Sequence, residues 1–371
     1  QESAFDIDGT ATITATASSG SDNNITLDKA GNDFTGAVSI TGNSVVVKDS
    51  NAIDFGTSAI RGTITVTAGS GITDTGGQVV AGNAWYLTNG AEATIVLNHA
   101  DNDFGGTLTL TGGVGYTVNS VGAVELDALT LVESYGDLHV TAGGAVTQKS
   151  GTALVVGGLA TISAAGQNVT LNGTSNDFQD EVRITGADVE ITDANSIKLG
   201  KSTVTGNYTV TARAGTVTQA QLTTEPLTIN GTSKTIHIAG TDIMLNNAAN
   251  NFVSAVKITT SGSDVELADV GDIILGASTV SGYYKVTAGG TVTQSGALTI
   301  TGATTITAQN TAGTTNYAVT LTEALNDFTG AVGITGAAVQ VTDTSDLILG
   351  DTTTTGNYTV IAGSGIAGGG I

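Results

Sequence analysis

The chain has 371 residues, with 52 Gly, one Pro and no Cys, and 11 Lys plus Arg against 33 Asp plus Glu give a net charge of −22. This excludes a disulfide-stapled mini-domain, gives no basic footprint for nucleic acid, and lacks the heptads of a coiled coil. No run approaches the ~20 apolar residues of a membrane-spanning helix, yet 40% apolar residues are too many for a disordered acidic tail.

From the first residue onward the chain reads as copies of one unit. It opens on Gln1 with no basic-then-apolar leader. With the absence of Cys, that sets the expectation of an exported protein that has lost its signal, or of a piece of something longer. Asn32-Asp33-Phe34 then recurs as Asn102-Asp103-Phe104, Asn176-Asp177-Phe178, Asn250-Asn251-Phe252 and Asn326-Asp327-Phe328, at spacings of 70, 74, 74 and 76. These are five of the seven Phe, so the repeat organises the core. Ile64, Leu138, Tyr208, Tyr284 and Tyr358 keep the same beat, each two residues before the Val of a Val-Thr-Ala or Val-Ile-Ala. A third marker is Val-Thr-Gln ending at Gln148, Gln219 and Gln294, with Asp74 in that place in the first copy.

Within the fourth copy the apolar residues alternate at period two: Val256 and Ile258, Val265 and Leu267, Ile273 and Leu275, Tyr284 and Val286, Leu298 and Ile300. That spacing predicts short half-buried strands and almost no helix. Gly-containing breaks every seven to ten residues are the corners. The pattern predicts an all-β protein, a right-handed parallel β-solenoid running continuously over residues 1–371. Each ~74-residue repeat would hold about three coils of ~25 residues, with four of ~18 as the alternative. The five recurring Phe are expected to be buried and in line, and Pro226 to lie at a corner.

The runs GNYTVTARAGTVTQ (206–219) and SGALTITGATTITA (295–308), with NDFTGAV at 32–38 and 326–332, resemble repeats of giant filamentous-haemagglutinin-like exoproteins. Those are adhesins of Gram-negative bacteria, commonly exported by two-partner secretion. The resemblance implies an extracellular or cell-surface β-helical fibre, not an enzyme.

Candidate chemistry is sparse. His99, His139 and His237 fall at unrelated places in their repeats, so no metal or catalytic group is expected of them. The acid pairs Asp101/Asp103, Asp264/Glu266 and Asp269/Asp272 are the candidates for a polysaccharide-active alternative, but only three Arg accompany them. Asp49, Asp193, Asp269 and Asp343 share one repeat position, with Asn119 in the second copy. They read as surface acids at a corner, with room for weak calcium binding at most. Thr-x-Thr stretches such as Thr10-Ala-Thr12-Ile-Thr14 and Thr299-Ile-Thr301 leave an ice-binding face as a further alternative. Six Asn-x-Thr sequons, at Asn24, Asn168, Asn172, Asn207, Asn230 and Asn357, are numerous because Asn and Thr are. No catalytic, cofactor or metal residue is therefore assigned. Gln1 to Ala15 aligns with Gln294 to Ala308, and Gly368 corresponds to Gln294. Coils continuing in that phase from one molecule to the next predict self-association head to tail; cell or matrix surfaces are the other expected partners.

Overall fold

The structure is a computed structural model that describes residues 1–17, 22–131, 135–220, 225–231, 235–260, 262 and 264–368. Among these there is no helix, and the strands are two to six residues long. Their burial alternates as the period-two pattern requires: in Ile64–Ala68 and Tyr208–Ala212 the first, third and fifth residues are buried and the Thr between them face out. Every described strand pairing is parallel, so each coil lays its strands on those of the coil before. The chain is a parallel β-solenoid.

Two compact units divide it, Gln1–Gly186 and Ala187–Ile371. In the first, Ile64 lies in register between Val45 and Ala84 on one wall. On another wall Tyr116, Leu138, Ala160 and Val182 stack in succession. In the second, Val189, Tyr208, Ile236 and Val256 form one such column. Val265, Tyr284, Thr304 and Val332 form another. These inward columns of β-branched and aromatic residues are the core. In the first unit Phe55, Tyr86 and Phe104 add an edge-to-face series, each successive pair 6.3 Å apart.

Phe34, Phe104, Phe178, Phe252 and Phe328 are all buried, at most 2% exposed. They are not in line. Coil steps range from 17 residues (Val38 to Phe55) to 28 (Tyr208 to Ile236), so a 70–76-residue repeat holds neither three nor four equal coils. Each Phe instead ends its own short ladder: Phe104 lies over Val80 and Ile60, Phe178 over Val156 and Leu131. In the second unit Phe252 lies over Ile229 and Val204, and Phe328 over Ile300 and Val280.

New ladders begin where one long strand is matched by two short ones. Val38–Gly42 pairs through Val38 with Phe55 of Ile53–Phe55, and through Gly42 with Ile60 of Ser58–Ile60. Ala255–Thr260 does the same with Ile273–Leu275 and Ser278–Val280. Corners are tight enough to demand glycine at particular places. A Cβ on Gly289 would lie 2.1 Å from the Val270 carbonyl oxygen, and one on Gly363 would lie 2.1 Å from that of Thr344. Pro226 stands at a corner, next to the strand Leu227–Ile229.

Candidate functional site

The residues that recur most strictly converge inside the solenoid. Asn32, Asn102, Asn176, Asn250 and Asn326 are fully buried. A buried primary amide needs partners for both ends. Each Asn finds them in a neighbouring coil, and four of the five also find one five residues back in their own. The Oδ1 atoms accept the backbone N–H of Phe5, Gln78, Leu154, Leu227 and Leu298 at 2.8–3.0 Å. The Nδ2 atoms of Asn32, Asn176, Asn250 and Asn326 donate to the carbonyls of Leu27, Leu171, Leu245 and Leu321.

The Val-Thr-Gln marker supplies the remaining partner. Gln148 donates to Asn176 Oδ1 at 2.7 Å and accepts from its Nδ2 at 2.9 Å. Gln219 and Asn250 repeat the exchange at 2.6 and 2.9 Å. So do Gln294 with Asn326 and Gln1 with Asn32. In the remaining copy Asp74 takes the place of Gln and accepts from Asn102 Nδ2 at 2.6 Å. Burial pushes the Asp74 carboxyl above its ordinary range, against the hydrogen bonds that favour its charge.

A second recurrent contact closes each Phe ladder. The N–H of Phe34, Phe252 and Phe328 donates to a carboxylate oxygen of Asp49, Asp269 and Asp343 at 2.6–2.8 Å. The other oxygen of each accepts the N–H two residues on, from Asn51, Gly271 and Ser345. The expectation of surface acids is therefore corrected: Asp49, Asp193, Asp269 and Asp343 are at most 4% exposed. A backbone donor left without a strand above it is costly when buried, and a carboxylate folded back from the corner satisfies it. In the second copy the contact falls to Ser120, whose Oγ accepts from Phe104 N–H at 3.4 Å, and not to Asn119. Asp269 is pushed up to about 6, chiefly by burial.

The third device sits where a ladder begins. The Ile40 N–H donates to Ser58 Oγ at 3.0 Å, and that hydroxyl donates to the Gly56 carbonyl at 2.9 Å. Ser278 serves Ile258 and Gly276 at the same distances. Sequence reading passed over this role, although the Gly-x-Ser spacing carried it.

The other candidates remain apart. His99 Nδ1 accepts the Asp101 N–H, and His139 lies 3.9 Å from an Asp137 carboxylate oxygen. His237 is beside Thr259, its basicity lowered by burial and by Lys257. Among the described residues no three His, Asp or Glu side chains meet as a metal-holding group. Asp264 accepts the Tyr283 N–H at 3.0 Å, and Asp272 accepts the Thr291 N–H. Glu266 is held below the usual carboxylate range by the Asn246 amide, then by the Tyr283 hydroxyl and Lys285. A depressed carboxyl makes a poor general acid. Asp101 is highly exposed.

The hydroxyl row of Thr259, Thr279 and Thr299 runs next into Asp327, which interrupts a Thr face. Of the sequons, Asn24 and Asn207 accept backbone N–H groups from the next coil. Thr232, which completes the sequon at Asn230, lies outside the described residues. No helix among the described residues is long and apolar enough to cross a membrane.

The family model described as repeats of unknown function, DUF5649, matches residues 1–41, 42–111, 113–185, 186–259 and 262–335, five times along the chain. No curated protein and no solved structure matches it.

Proposed function

This chain belongs to the DUF5649 repeat family, and from that premise we propose that it is a non-catalytic structural protein, a stretch of fibre or stalk displayed outside the cell. The carrying observation is the repeated Asn–Gln clasp. The side chains that recur from copy to copy are used up in holding coil to coil, with the buried Asn offering its amide to no ligand. An enzyme of this size would be expected to keep its recurrent polar groups around a cleft.

Several features support a place outside the cell. Cys is absent, and the charge of −22 keeps neighbouring copies from clumping side by side. The runs at 206–219 and 295–308 add their resemblance to filamentous-haemagglutinin-like adhesins of Gram-negative bacteria. Contacts with cell or matrix surfaces then fall to the outward Thr, Ser and Lys positions. The coils serve such a fibre in two ways: by stacking copies head to tail, or as one length of a longer repeat polypeptide. Sedimentation over a wide concentration range separates these, since only the first gives a mass that grows with concentration.

The display itself is tested by antibody against the folded chain. Intact cells of the source organism and their shed fibres should be labelled. Labelling that appears only after permeabilisation would overturn an extracellular role.

A further inference from the structure

We propose that the wall around Trp85 is a binding platform for a neutral polysaccharide. Trp85 is the only Trp in the chain, and it stands on the outer face of the strand Ala84–Thr88 with 37% of its surface exposed. In register below and above it are Thr65 and Thr109, and in the adjacent row Leu87 lies between Thr67 and Thr111. These side chains line an open cleft of about 450 Å³. An indole flanked by hydroxyls on a wall fixed by parallel pairing is the chemistry that recognises a pyranose. The ring face takes the sugar's C–H face, and the Thr hydroxyls take its hydroxyl groups. Thr109 is already oriented by donating to Asp127 Oδ2 at 3.2 Å, which leaves its lone pairs for an incoming hydroxyl.

The occupant follows from charge and size. None of the eight lining residues is charged, and a chain at −22 repels a polyanion. Eight residues also fall well short of the roughly 20–30 per side that a stable protein–protein interface uses. One or two uncharged sugar rings fit both constraints.

Because Trp85 is the sole Trp, indole emission excited at a wavelength that spares the eight Tyr reports this site alone. The probes are cellohexaose, laminarihexaose, mannohexaose and N-acetylchitohexaose, with oligogalacturonate as the anionic counterpart. At least one neutral oligosaccharide should give a saturable emission shift, and oligogalacturonate none. By calorimetry Trp85→Ala should weaken that binding about thirtyfold, as loss of an aromatic anchor does, while Trp85→Tyr retains part of it. Since the side chain points outward, an unchanged β-type circular dichroism spectrum checks that the variants are folded. The proposal fails if no neutral probe shifts the emission at millimolar concentration, or if Trp85→Ala binds as tightly as the parent. It also fails if oligogalacturonate binds equally well, or if emission shifts with protein concentration alone, which would mark a second copy as the occupant.

Discussion

Asn176 holds several segments of its repeat together, because four hydrogen bonds converge on one buried amide. Asn176→Leu should therefore cost about 3 kcal/mol or more, since it strands the Leu154 N–H in the core and takes from the Gln148 amide two of its hydrogen bonds, leaving only those to Thr152 and Gly173. Chemical denaturation checks this, and a loss below about 1 kcal/mol would mean that the clasp is not a main stabiliser. Asp74→Gln should be close to neutral, because Gln148, Gln219 and Gln294 already make the same contact elsewhere. Asp269 behaves differently. Burial raises its carboxyl to about 6, above its value in an unfolded chain near 3.9. The proton is thus bound more tightly in the fold, so this group's contribution is fully present below about pH 4 and is lost as pH rises through 6. Acidification also relieves the repulsion of a chain at −22. Both effects have the same sign, and bulk stability cannot separate them. The carboxyl carbon of Asp269, followed by NMR, should titrate with a midpoint near 6; a midpoint under 4 would refute the assignment.

At the level of the strand, what distinguishes this solenoid is that its walls start and stop. A wall opens where Val38–Gly42 or Ala255–Thr260 is matched by two short strands, and the Ser hydroxyl in the gap takes the backbone donor that the break would orphan. Ser278→Ala should cost about 1–3 kcal/mol by leaving the Ile258 N–H unsatisfied. Hydrogen exchange at Ile258 should then accelerate well beyond that of Leu267 on a different wall, and equal rates would argue against the plug. The strands themselves were legible in the sequence because period-two alternation reports a half-buried strand wherever it occurs, as at Val256–Ile258 or Tyr284–Val286. The repeat length was legible from the Asn-Asp-Phe steps. Partners across coils were not, because Gln148 and Asn176 are 28 residues apart whereas Gln294 and Asn326 are 32 apart. No fixed period connects them when coil steps vary. The Asp269 position misled for a different reason: an acid near a corner reads as solvated unless its service to an unpaired N–H is seen. Its constant place some 15–17 residues after Phe was the available hint.

For the whole molecule the question is how far damage travels. A solenoid coil touches only the coils beside it, so stability adds up from coil interiors and nearest-neighbour interfaces. Phe104 tests this in the first unit. Its ring packs edge-on against Tyr86 and lies over Val80, with the corner at Ser120 closing above it. Phe104→Ala removes a ring that neighbours tied into three ladders cannot move to replace, and should cost about 3–5 kcal/mol locally. The loss should appear as faster amide exchange in the strands Gln78–Val80, Ala84–Thr88 and Gly115–Ser120, with protection of Tyr208–Ala212 and Tyr284–Ala288 in the second unit unchanged. Heating should broaden the transition, because weakened coils open before sound ones. A two-state transition in which exchange rises equally throughout both units would show long-range cooperativity, and nearest-neighbour additivity would then be the wrong description of this protein.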